Sequence, residues 1–367
     1  MRTLKAALAL LIITLSFLSG QAQTRFDNLE FKQFSTPEGL PNSMVHQVYQ
    51  DRDGYIWIST FYGLFRYDGY EVRTYKSNLY TPGLLVNNNV ICVEEDYSHR
   101  LWIGTHEGLC VLDKQTGKMR KMKLEGISKH RLNEIHVTKD NKVYLGYIRG
   151  MACYNAELDT LELMTSKNCK GEVPEQINIQ TLLEDENGDL LIGTWQDGLF
   201  HYNIKENKFI HYPPLDESNS VLALFQDSKG ALWIGTSGSG LYKVNFSPDK
   251  KILSVEKAYK HDALNTLSLS SDYIYSIHED LQTHSLWLGT RNGVSIMDLT
   301  DEGKFINYRE SGSEHYLPVR EVNTVFRDKN GLMWIGTKGA GVFHVNTRTR
   351  PFEVFYPRGN GKSFTDI

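Results

Sequence analysis

Short apolar runs recur along the chain at intervals of about 42 to 54 residues, and each run ends in nearly the same letters. Within each interval, apolar and polar residues alternate over short stretches, a pattern that predicts β-strands. The runs read YIWIST, RLWIGT, VYLGYI, LLIGTW, LWIGTS, LWLGTR and MWIGTK, and their anchor residues are Trp57, Trp102, Tyr144, Leu191, Trp233, Trp287 and Trp334. The spacing therefore predicts seven copies of one structural unit.

Turn residues separate the predicted strands within each unit. An Asp carboxylate closes a tight turn, and Gly accepts the positive φ that such a turn requires. Asp lies six or seven positions before six of the anchors, at Asp51, Asp96, Asp185, Asp227, Asp280 and Asp328. After each anchor a second turn leads to Gly-Leu or a close relative, and a last strand such as KFIHY or KFINY follows. Each unit thus predicts four short antiparallel strands.

Four-stranded units of this period are typical of β-propeller blades. A single blade leaves two apolar faces exposed, and only neighbours around a ring bury them. We therefore predict an all-β fold, a seven-bladed β-propeller of four-stranded antiparallel blades, over residues 23–360. The anchor Trp is expected to fill the gap between blades and to have no chemical role.

Two segments compete for the outer strand of the last blade. Leu29-Glu-Phe-Lys-Gln-Phe34 resembles a fourth strand with no blade before it, so the simplest prediction is that it closes the ring by pairing into the last blade. Phe352-Glu-Val-Phe-Tyr356 has the same pattern and is then either displaced or shares that blade. Residues 361–367 resemble the start of a truncated eighth repeat, which predicts that the chain is part of a longer protein.

The first 22 residues predict a cleaved signal peptide. Arg2 and Lys5 precede an apolar run from Ala6 to Leu18, and small residues follow at a suitable cleavage site. The run is short for a membrane span, no Cys follows it, and no second apolar segment is long enough. We therefore expect a periplasmic mature chain that inserts no segment of its own into the membrane.

The composition narrows the possible partners. A net charge of −4 with 23% charged residues gives no indication of a nucleic-acid-binding surface. The four cysteines show no disulfide framework in their spacing. An oxidising compartment permits a disulfide, but buried free thiols are the favoured alternative.

The loops that follow the anchors differ from blade to blade. In a propeller they lie on the same side of the ring as the starts of the innermost strands, which we call the loop face, while the Asp-Gly turns lie on the opposite turn face. Variable loops on a rigid scaffold are typical of a binding surface. The candidate ligand-binding residues are Tyr62, His106, Glu107, Tyr147, Arg149, Trp195, Gln196, Asp197, Arg291, Asn292, Lys338, Asn88 and Arg320.

Amides, hydroxyls and a few charges cluster where the innermost strands begin. Such groups pair with sugar hydroxyls, and the rings of Tyr62, Tyr147 and Trp195 would stack on sugar rings, so this mouth suits a carbohydrate. The alternative is that Asn and Ser cap strand starts and that exposed aromatics are incidental. These residues are Asn42, Ser43, Asn88, Asn89, Asn133, Glu134, Asn178, Asn219, Ser220, Ser271, Asp272, Arg320 and Glu321.

No motif in the sequence predicts a metal, a cofactor or catalysis. Asp51-Arg-Asp-Gly54 resembles the start of a calcium loop, but Tyr stands where the bidentate Glu is needed. No nucleophile elbow, zinc helix or phosphate loop occurs. A secreted lyase or glycosidase stays an alternative, as does a protein-binding scaffold. The carboxylates of such an enzyme would be Glu107, Glu134, Asp197, Asp272 and Glu321.

Two units show a resemblance to a known family. Val45-x-x-Val48-x-x-Asp51-x-x-Gly54-Tyr-Ile-Trp57 and the unit around Asp227 and Trp233 closely resemble the two-component regulator propeller repeat. The resemblance spans nearly all of the mature chain, although Tyr144 and Leu191 depart from it. It implies the periplasmic sensor region of a hybrid two-component system, which detects oligosaccharides released from polysaccharides.

The same resemblance implies the partners of the chain. They are an oligosaccharide ligand and, in the full-length protein, a downstream propeller and a β-sandwich domain of a sensor kinase, with a dimer possible. The kinase and output domains are absent from this chain, so it is expected to bind and not to catalyse.

Overall fold

The computed structural model describes residues 26, 29–34, 44–78, 84–122, 131–215, 219–247, 250, 252–310 and 315–347. Within these ranges there are thirty β-strands in seven sheets and no α-helix. The predicted seven-bladed all-β propeller is therefore confirmed. The predicted signal peptide, the segment at 352–356 and the eighth repeat lie outside the described residues, as do Asn42 and Ser43.

Each blade is a meander of four strands that runs from the axis outwards. Strand β1 (Lys32–Gln33) precedes blade 1 in the chain. Blade 1 contains β2 (Val45–Gln50), β3 (Ile56–Thr60), β4 (Gly63–Tyr67) and β5 (Val72–Tyr75). Blade 2 contains β6 (Val90–Glu95), β7 (Arg100–Thr105), β8 (Gly108–Asp113) and β9 (Met119–Met122). Blade 3 contains β10 (Leu132–Val137), β11 (Val143–Tyr147), β12 (Gly150–Asn155) and β13 (Thr160–Met164).

Blades 4 and 6 each have a short fifth strand that pairs in parallel at the outer edge. Blade 4 contains β14 (Lys170–Gly171), β15 (Ile179–Glu184), β16 (Leu190–Thr194), β17 (Leu199–Asn203) and β18 (Lys208–His211). Blade 5 contains β19 (Val221–Gln226), β20 (Leu232–Thr236), β21 (Leu241–Phe246) and β22 (Leu253–Tyr259). Blade 6 contains β23 (Ile274–Asp280), β24 (Ser285–Thr290), β25 (Gly293–Asp298), β26 (Phe305–Arg309) and β27 (His315–Tyr316). Blade 7 contains β28 (Val322–Arg327), β29 (Leu332–Thr337) and β30 (Val342–Asn346).

Strand β1 completes blade 7. It pairs antiparallel with β30, and the backbone N–H of Phe34 donates to Val342 O at 2.8 Å. The Phe34 ring packs against both Trp334 of blade 7 and Tyr67 of blade 1, at centroid distances of 5.4 and 4.7 Å. The prediction that residues 29–34 close the ring is thus confirmed.

A buried hydrogen bond joins the anchor Trp to the upstream Asp in four blades. In blade 5, Trp233 Nε1 donates to Asp227 Oδ2 at 2.8 Å, while Asp227 Oδ1 accepts the backbone N–H of Ala231 and so closes the turn. The other three bonds join Trp57 to Asp51, Trp102 to Asp96 and Trp334 to Asp328, at 2.8 to 2.9 Å. One carboxylate therefore fixes the turn and the anchor together, a pairing that the sequence argument treated as two separate features.

The remaining three blades replace this bond in different ways. In blade 6 the turn is one residue longer, and Trp287 donates to Ser285 Oγ at 3.0 Å. In blade 3, Thr138 stands at the Asp position and its Oγ1 accepts the backbone N–H of Lys142. In blade 4 the anchor is Leu191, and no indole reaches the carboxylate that closes the turn.

The Gly of each WIGT run lets adjacent blades approach closely. A Cβ on Gly336 would lie 2.5 Å from Thr324 Cγ2 and 2.7 Å from Val45 Cγ1, which belongs to blade 1. Each of the seven hydrophobic clusters formed by the described residues lies between two neighbouring blades. Most of the apolar burial therefore depends on contacts between blades and not within them.

On the turn face, polar bonds connect successive blades. A backbone N–H in the turn after one inner strand donates to a side chain at or next to the end of the neighbouring inner strand. The bonds run from Arg52 to Glu95, Lys139 to Glu184, Ser228 to Glu279 and Lys329 to Gln50, at 2.7 to 2.9 Å. The repetition of these bonds around the ring is typical of a surface with a structural role.

All four cysteines are free thiols. Cys92 and Cys110 are buried, and Cys153 and Cys169 are partly buried. Burial raises the pKa of the Cys110 thiol to about 11. The favoured alternative of free thiols is confirmed, although only two of them are fully buried.

We predict that the Asp–Trp bond contributes measurably to stability. Asp227→Asn would turn an amide N–H toward the Trp233 indole N–H and should lower the free energy of unfolding by about 1 to 3 kcal/mol. Adding Trp233→Phe removes the clash, so the double variant should lose less than the sum of the single losses in urea unfolding. Strict additivity would contradict this assignment. The control is Trp287→Phe, which should cost less than Trp233→Phe because Ser285 keeps a bond to Thr283 Oγ1.

We also predict that position 336 requires Gly, because there is no space for a side chain there. Gly336→Ala should lower the free energy of unfolding by about 1 to 3 kcal/mol because the added methyl forces blades 7 and 1 apart. The matched control is Ser59→Ala in blade 1, where a Cβ is already accommodated and the buried Oγ has no hydrogen-bond partner among the described residues. Urea unfolding of both variants checks this, and equal losses would show that the glycine is not needed for close approach.

Candidate functional site

Every inner strand has a β-bulge at the same place. The register shifts between the first and third residues, so that the second residue has no partner on the neighbouring strand. A bulge of this kind bends a strand and redirects a side chain. The seven bulged residues are His46, Ile91, Asn133, Gln180, Leu222, Tyr275 and Asn323.

All seven bulged residues line one central pocket of about 630 Å³ on the loop face. The third residue of each inner strand lines it as well, namely Gln47, Cys92, Glu134, Thr181, Ala223, Ser276 and Thr324. The rim includes Met44, Phe61, Asn89, His106, Arg131, Trp195, Glu321 and Lys338. The volume is typical of a small-molecule site, and the lining combines amides, hydroxyls and aromatic rings.

Hydrogen bonds between blades hold part of this lining in place. His46 Nε2 lies 2.9 Å from Asn89 Oδ1, and Asn323 donates to Val45 O at 2.9 Å across the junction between blades 7 and 1. Asn133 donates to Ile179 O at 2.6 Å. These side chains serve the ring as well as the pocket, so the mouth is largely preformed.

The carboxyl groups of the pocket have different charge states. Desolvation raises the pKa of Glu134 to about 8, so this half-buried side chain is protonated at neutral pH and can donate a hydrogen bond. Glu94 lies on β6, two residues after Cys92, and burial raises its pKa well above the usual value too. Glu321 instead pairs with Lys338, with 2.9 Å between Oε2 and Nζ. Burial lowers the pKa of His46 to about 4, so its ring is neutral.

The predicted aromatic residues have different positions. Trp195, with 40% of its surface exposed, lies on the pocket rim, and Tyr62 packs edge-on against Phe61 on the same face. Tyr147 does not flank the mouth, because it is only 6% exposed and packs in the core between blades 2 and 3. The expectation of an exposed ring at position 147 is therefore wrong.

The predicted polar residues divide between two pockets and the surrounding loops. His106 and Lys338 line the central pocket. Arg291, Asn292 and Arg320 line a second pocket of about 360 Å³ at blades 5 to 7, which we call the side pocket. Four others lie on loops outside the linings of both pockets, namely Glu107, Arg149, Gln196 and Asp197. Asn88 supports the fold, since its Oδ1 accepts the backbone N–H of Ser77.

Sequence reasoning missed six of the seven bulged residues, although a signal was present. Val45 and Val48 are three positions apart, yet both pack in the core between blades 7 and 1. Residues three apart on a regular strand face opposite sides, so a shared core requires a bulge between them. The same spacing of buried residues recurs at Val90 and Val93.

Two features, a metal-binding group and a membrane-spanning helix, are absent from the described residues. Among the described residues there is no group of three or more His, Cys, Asp or Glu side chains that could hold a metal ion. In the same residues no helix is long and apolar enough to cross a membrane.

A family model described as two component regulator propeller matches residues 39–62, 84–107, 216–238 and 316–339. These segments fall in blades 1, 2, 5 and 7, which are the four blades whose Trp donates to Asp. The predicted resemblance is thereby confirmed, and the four matched repeats are those in which the Asp and the Trp are hydrogen-bonded.

Several known proteins are similar to this chain. Histidine kinase P4 from Formosa agariphila is 34% identical over 67 residues, which is 18% of this chain and 5% of the kinase. The extracellular domains of two hybrid two-component systems from B. thetaiotaomicron align with TM-scores of 0.70 and 0.67, at 24% and 22% identity over 88% and 86% of this chain. The chain spans only 42% and 40% of those two domains.

Virginiamycin B lyase from Staphylococcus aureus has a similar fold, with a TM-score of 0.65 at 10% identity over 87% of this chain and 99% of the lyase. At this identity, as for the two extracellular domains, the likeness establishes the fold alone. The chain is therefore a seven-bladed β-propeller in which four blades contain segments that match the two-component regulator propeller repeat.

Proposed function

We propose that this chain is the ligand-sensing propeller of a periplasmic hybrid two-component sensor, and that its central pocket binds an oligosaccharide without turnover. The observation that supports this most directly is the set of seven bulges, which direct one side chain per blade into a single pocket. Because each bulged residue has no partner on the adjacent strand, this side chain can vary between blades without changing the anchors.

The chemistry of the pocket favours a sugar. Gln180 presents an amide, and Glu134 presents a neutral carboxyl group, so the pocket can both donate to and accept from hydroxyls. Phe61 of blade 1 and Trp195 of blade 4 stand three blades apart on the rim and offer ring faces from two directions. Amides with flanking aromatic rings suit the polar edges and apolar faces of a sugar ring.

The sensor role draws on the repeats and on the similarity to sensor proteins. The extracellular domains with this fold are more than twice as long as this chain, so signal transfer would involve further domains. We propose that ligand binding is passed to a downstream propeller and a β-sandwich domain of the sensor kinase, in a dimer. Export by the predicted signal peptide would place the pocket in the periplasm.

We predict binding without turnover. The mature chain would be titrated by calorimetry with neutral, carboxylated and sulfated oligosaccharides, and the same mixtures would be assayed for new reducing ends and for unsaturated products. Heat of binding with unchanged sugars supports the proposal. Release of product would establish an enzyme instead, and a panel without any binding would contradict the proposed ligand class.

We predict that Trp195→Ala weakens binding of the best ligand of the panel about tenfold, since stacking and burial of an aromatic ring contribute about 1.4 kcal/mol or more. The matched control is Tyr70→Ala, which removes an aromatic ring that is 92% exposed on the turn between β4 and β5. That turn lies on the turn face, so the control should bind normally. Equal effects of the two substitutions would show that the loop face is not the site.

We predict that the proton on Glu134 is visible in the pH dependence of stability. The folded-state pKa of about 8 lies above the ordinary value of 4.5 for a Glu side chain. Below pH 4.5 both states are protonated, and as the pH rises toward 8 the unfolded state ionises first, so the wild type loses stability. Glu134→Gln should therefore match the wild type near pH 4 and exceed it at pH 9 in urea unfolding. The control, Glu107→Gln at an exposed position, should show no such trend, and a pH-independent Glu134→Gln difference would contradict the prediction.

A further inference from the structure

The side pocket has a different chemistry from the central pocket. It lies on the loop face at blades 5 to 7, and its lining includes Tyr273, Arg291 and Arg320 together with His261, Asp272 and Asn292. Two arginines line this pocket of about 360 Å³ and give it a positive character. The central pocket also has an arginine, Arg131, on its rim, but its acidic residues are the protonated Glu134 and Glu321, which pairs with Lys338.

Neither arginine has an acidic partner among the described residues. By contrast, Arg100, Arg120 and Arg327 each contact an Asp at 2.6 to 2.8 Å. The Arg291 guanidinium instead lies over the Tyr273 ring, 5.0 Å from its centroid. Two uncompensated positive charges at one pocket favour an anion as its occupant.

The acidic groups near the side pocket are engaged elsewhere. Asp272 lines the pocket, but its Oδ1 accepts the backbone N–H of His261 at 2.6 Å. Glu321, which follows Arg320 in the chain, pairs with Lys338 at 2.9 Å. The charged side chains of the lining therefore leave a net positive charge of about one, because two arginines face a single aspartate.

The backbones of both arginines are held in place. The N–H of Arg291 donates to Tyr273 O at 3.1 Å, and the N–H of Gly293 donates to Arg320 O at 2.7 Å. The opposite wall is fixed by the N–H groups of Gly238 and Gly240, which both donate to Asp272 O at 3.0 Å. Binding would then need ordering of the guanidinium groups and little rearrangement of the chain.

The two pockets adjoin along the chain. Tyr273 lines the side pocket and Tyr275 lines the central pocket, and the neighbouring residues Arg320 and Glu321 divide between the pockets in the same way. A ligand of several sugar units can therefore occupy both.

We propose that the side pocket binds an anionic group through Arg291 and Arg320, so that the ligand of the central pocket is an acidic oligosaccharide. This inference rests on the proposed function for the sugar, but the anion site is defined by its own residues. A carboxylate of a uronic acid and a sulfate ester share the required chemistry, since each offers two or more oxygens to a guanidinium fork.

The test compares oligosaccharides of equal length that are neutral, carboxylated or sulfated, together with sodium glucuronate and sodium sulfate as isolated anions. The full chain should bind one acidic series at least about tenfold more tightly than the neutral series, and that gain should shrink at high salt. The series that shows the gain identifies the source of the anion. Equal affinity for the neutral and acidic series would overturn the inference.

The variants are Arg291→Gln and Arg320→Gln, singly and together, with Arg73→Gln on the outer strand β5 as the matched control, an exposed arginine that lines neither pocket. The double variant should lose the preference for the acidic series and its salt dependence, while the control keeps both. Thermal melting confirms that each variant is folded, and Arg291→Lys tests whether the fork geometry is needed. A double variant that is folded and still prefers acidic ligands would refute the assignment.

The outcomes separate this inference from the proposed function. Binding of neutral oligosaccharides that depends on Trp195, with no gain from an anionic group, would leave the proposed function in place and refute the side pocket. Binding of glucuronate or sulfate that depends on both arginines, with no oligosaccharide bound, would support the side pocket and refute the proposed function.

Discussion

Packing between blades is the constraint on which the rest of this structure depends. A blade of four short strands has two apolar faces, and each hydrophobic cluster of the described residues lies between neighbouring blades. The approach is so close that a methyl group on Gly336 would meet Val45 of the next blade. No blade can then be stable by itself, and the pairing of β1 with β30 becomes necessary because it completes the last interface. In four of the seven blades the Asp–Trp bond also aligns the turn with its anchor.

The same packing creates the pocket. Each inner strand places its first and fourth residues in the contact between blades, and the bulge between them is the geometric consequence. The residue left over, such as Tyr275 or Gln180, has no partner on the adjacent strand and lines the axis. Scaffold and site thus use the same strands but different residues. This separation allows the lining to vary between blades while the anchors repeat.

Much of the fold could be predicted from sequence, because the same pattern of strands and turns occurs seven times along the chain. The Trp anchors, the Asp turns and the ring closure by residues 29–34 followed from spacing alone. The bond between Asp227 and Trp233 did not, because two buried groups six positions apart have to be placed in three dimensions before their atoms meet. That bond is absent at Leu191, and blade 4 is one of the three blades outside the segments that the family model matches.

The site was predicted less completely than the fold. Loop variation singled out His106, Trp195 and Lys338, which line the central pocket, but it placed the buried Tyr147 beside them, because a loop position does not reveal which way a ring turns. The bulged residues were missed because strict alternation was assumed for the inner strands. Arg291 and Arg320 line a separate side pocket, and this could not be predicted because the pocket depends on contacts between three blades that lie far apart in sequence.

The most direct test of the central claim is a crystal structure of the chain with the tightest-binding oligosaccharide of the panel. The account predicts a sugar ring in the central pocket, in contact with Trp195 or Phe61 and with at least one bulged side chain such as Gln180. An oligosaccharide bound on the turn face or at the outer edge of a blade, with the central pocket empty of it, would contradict the account.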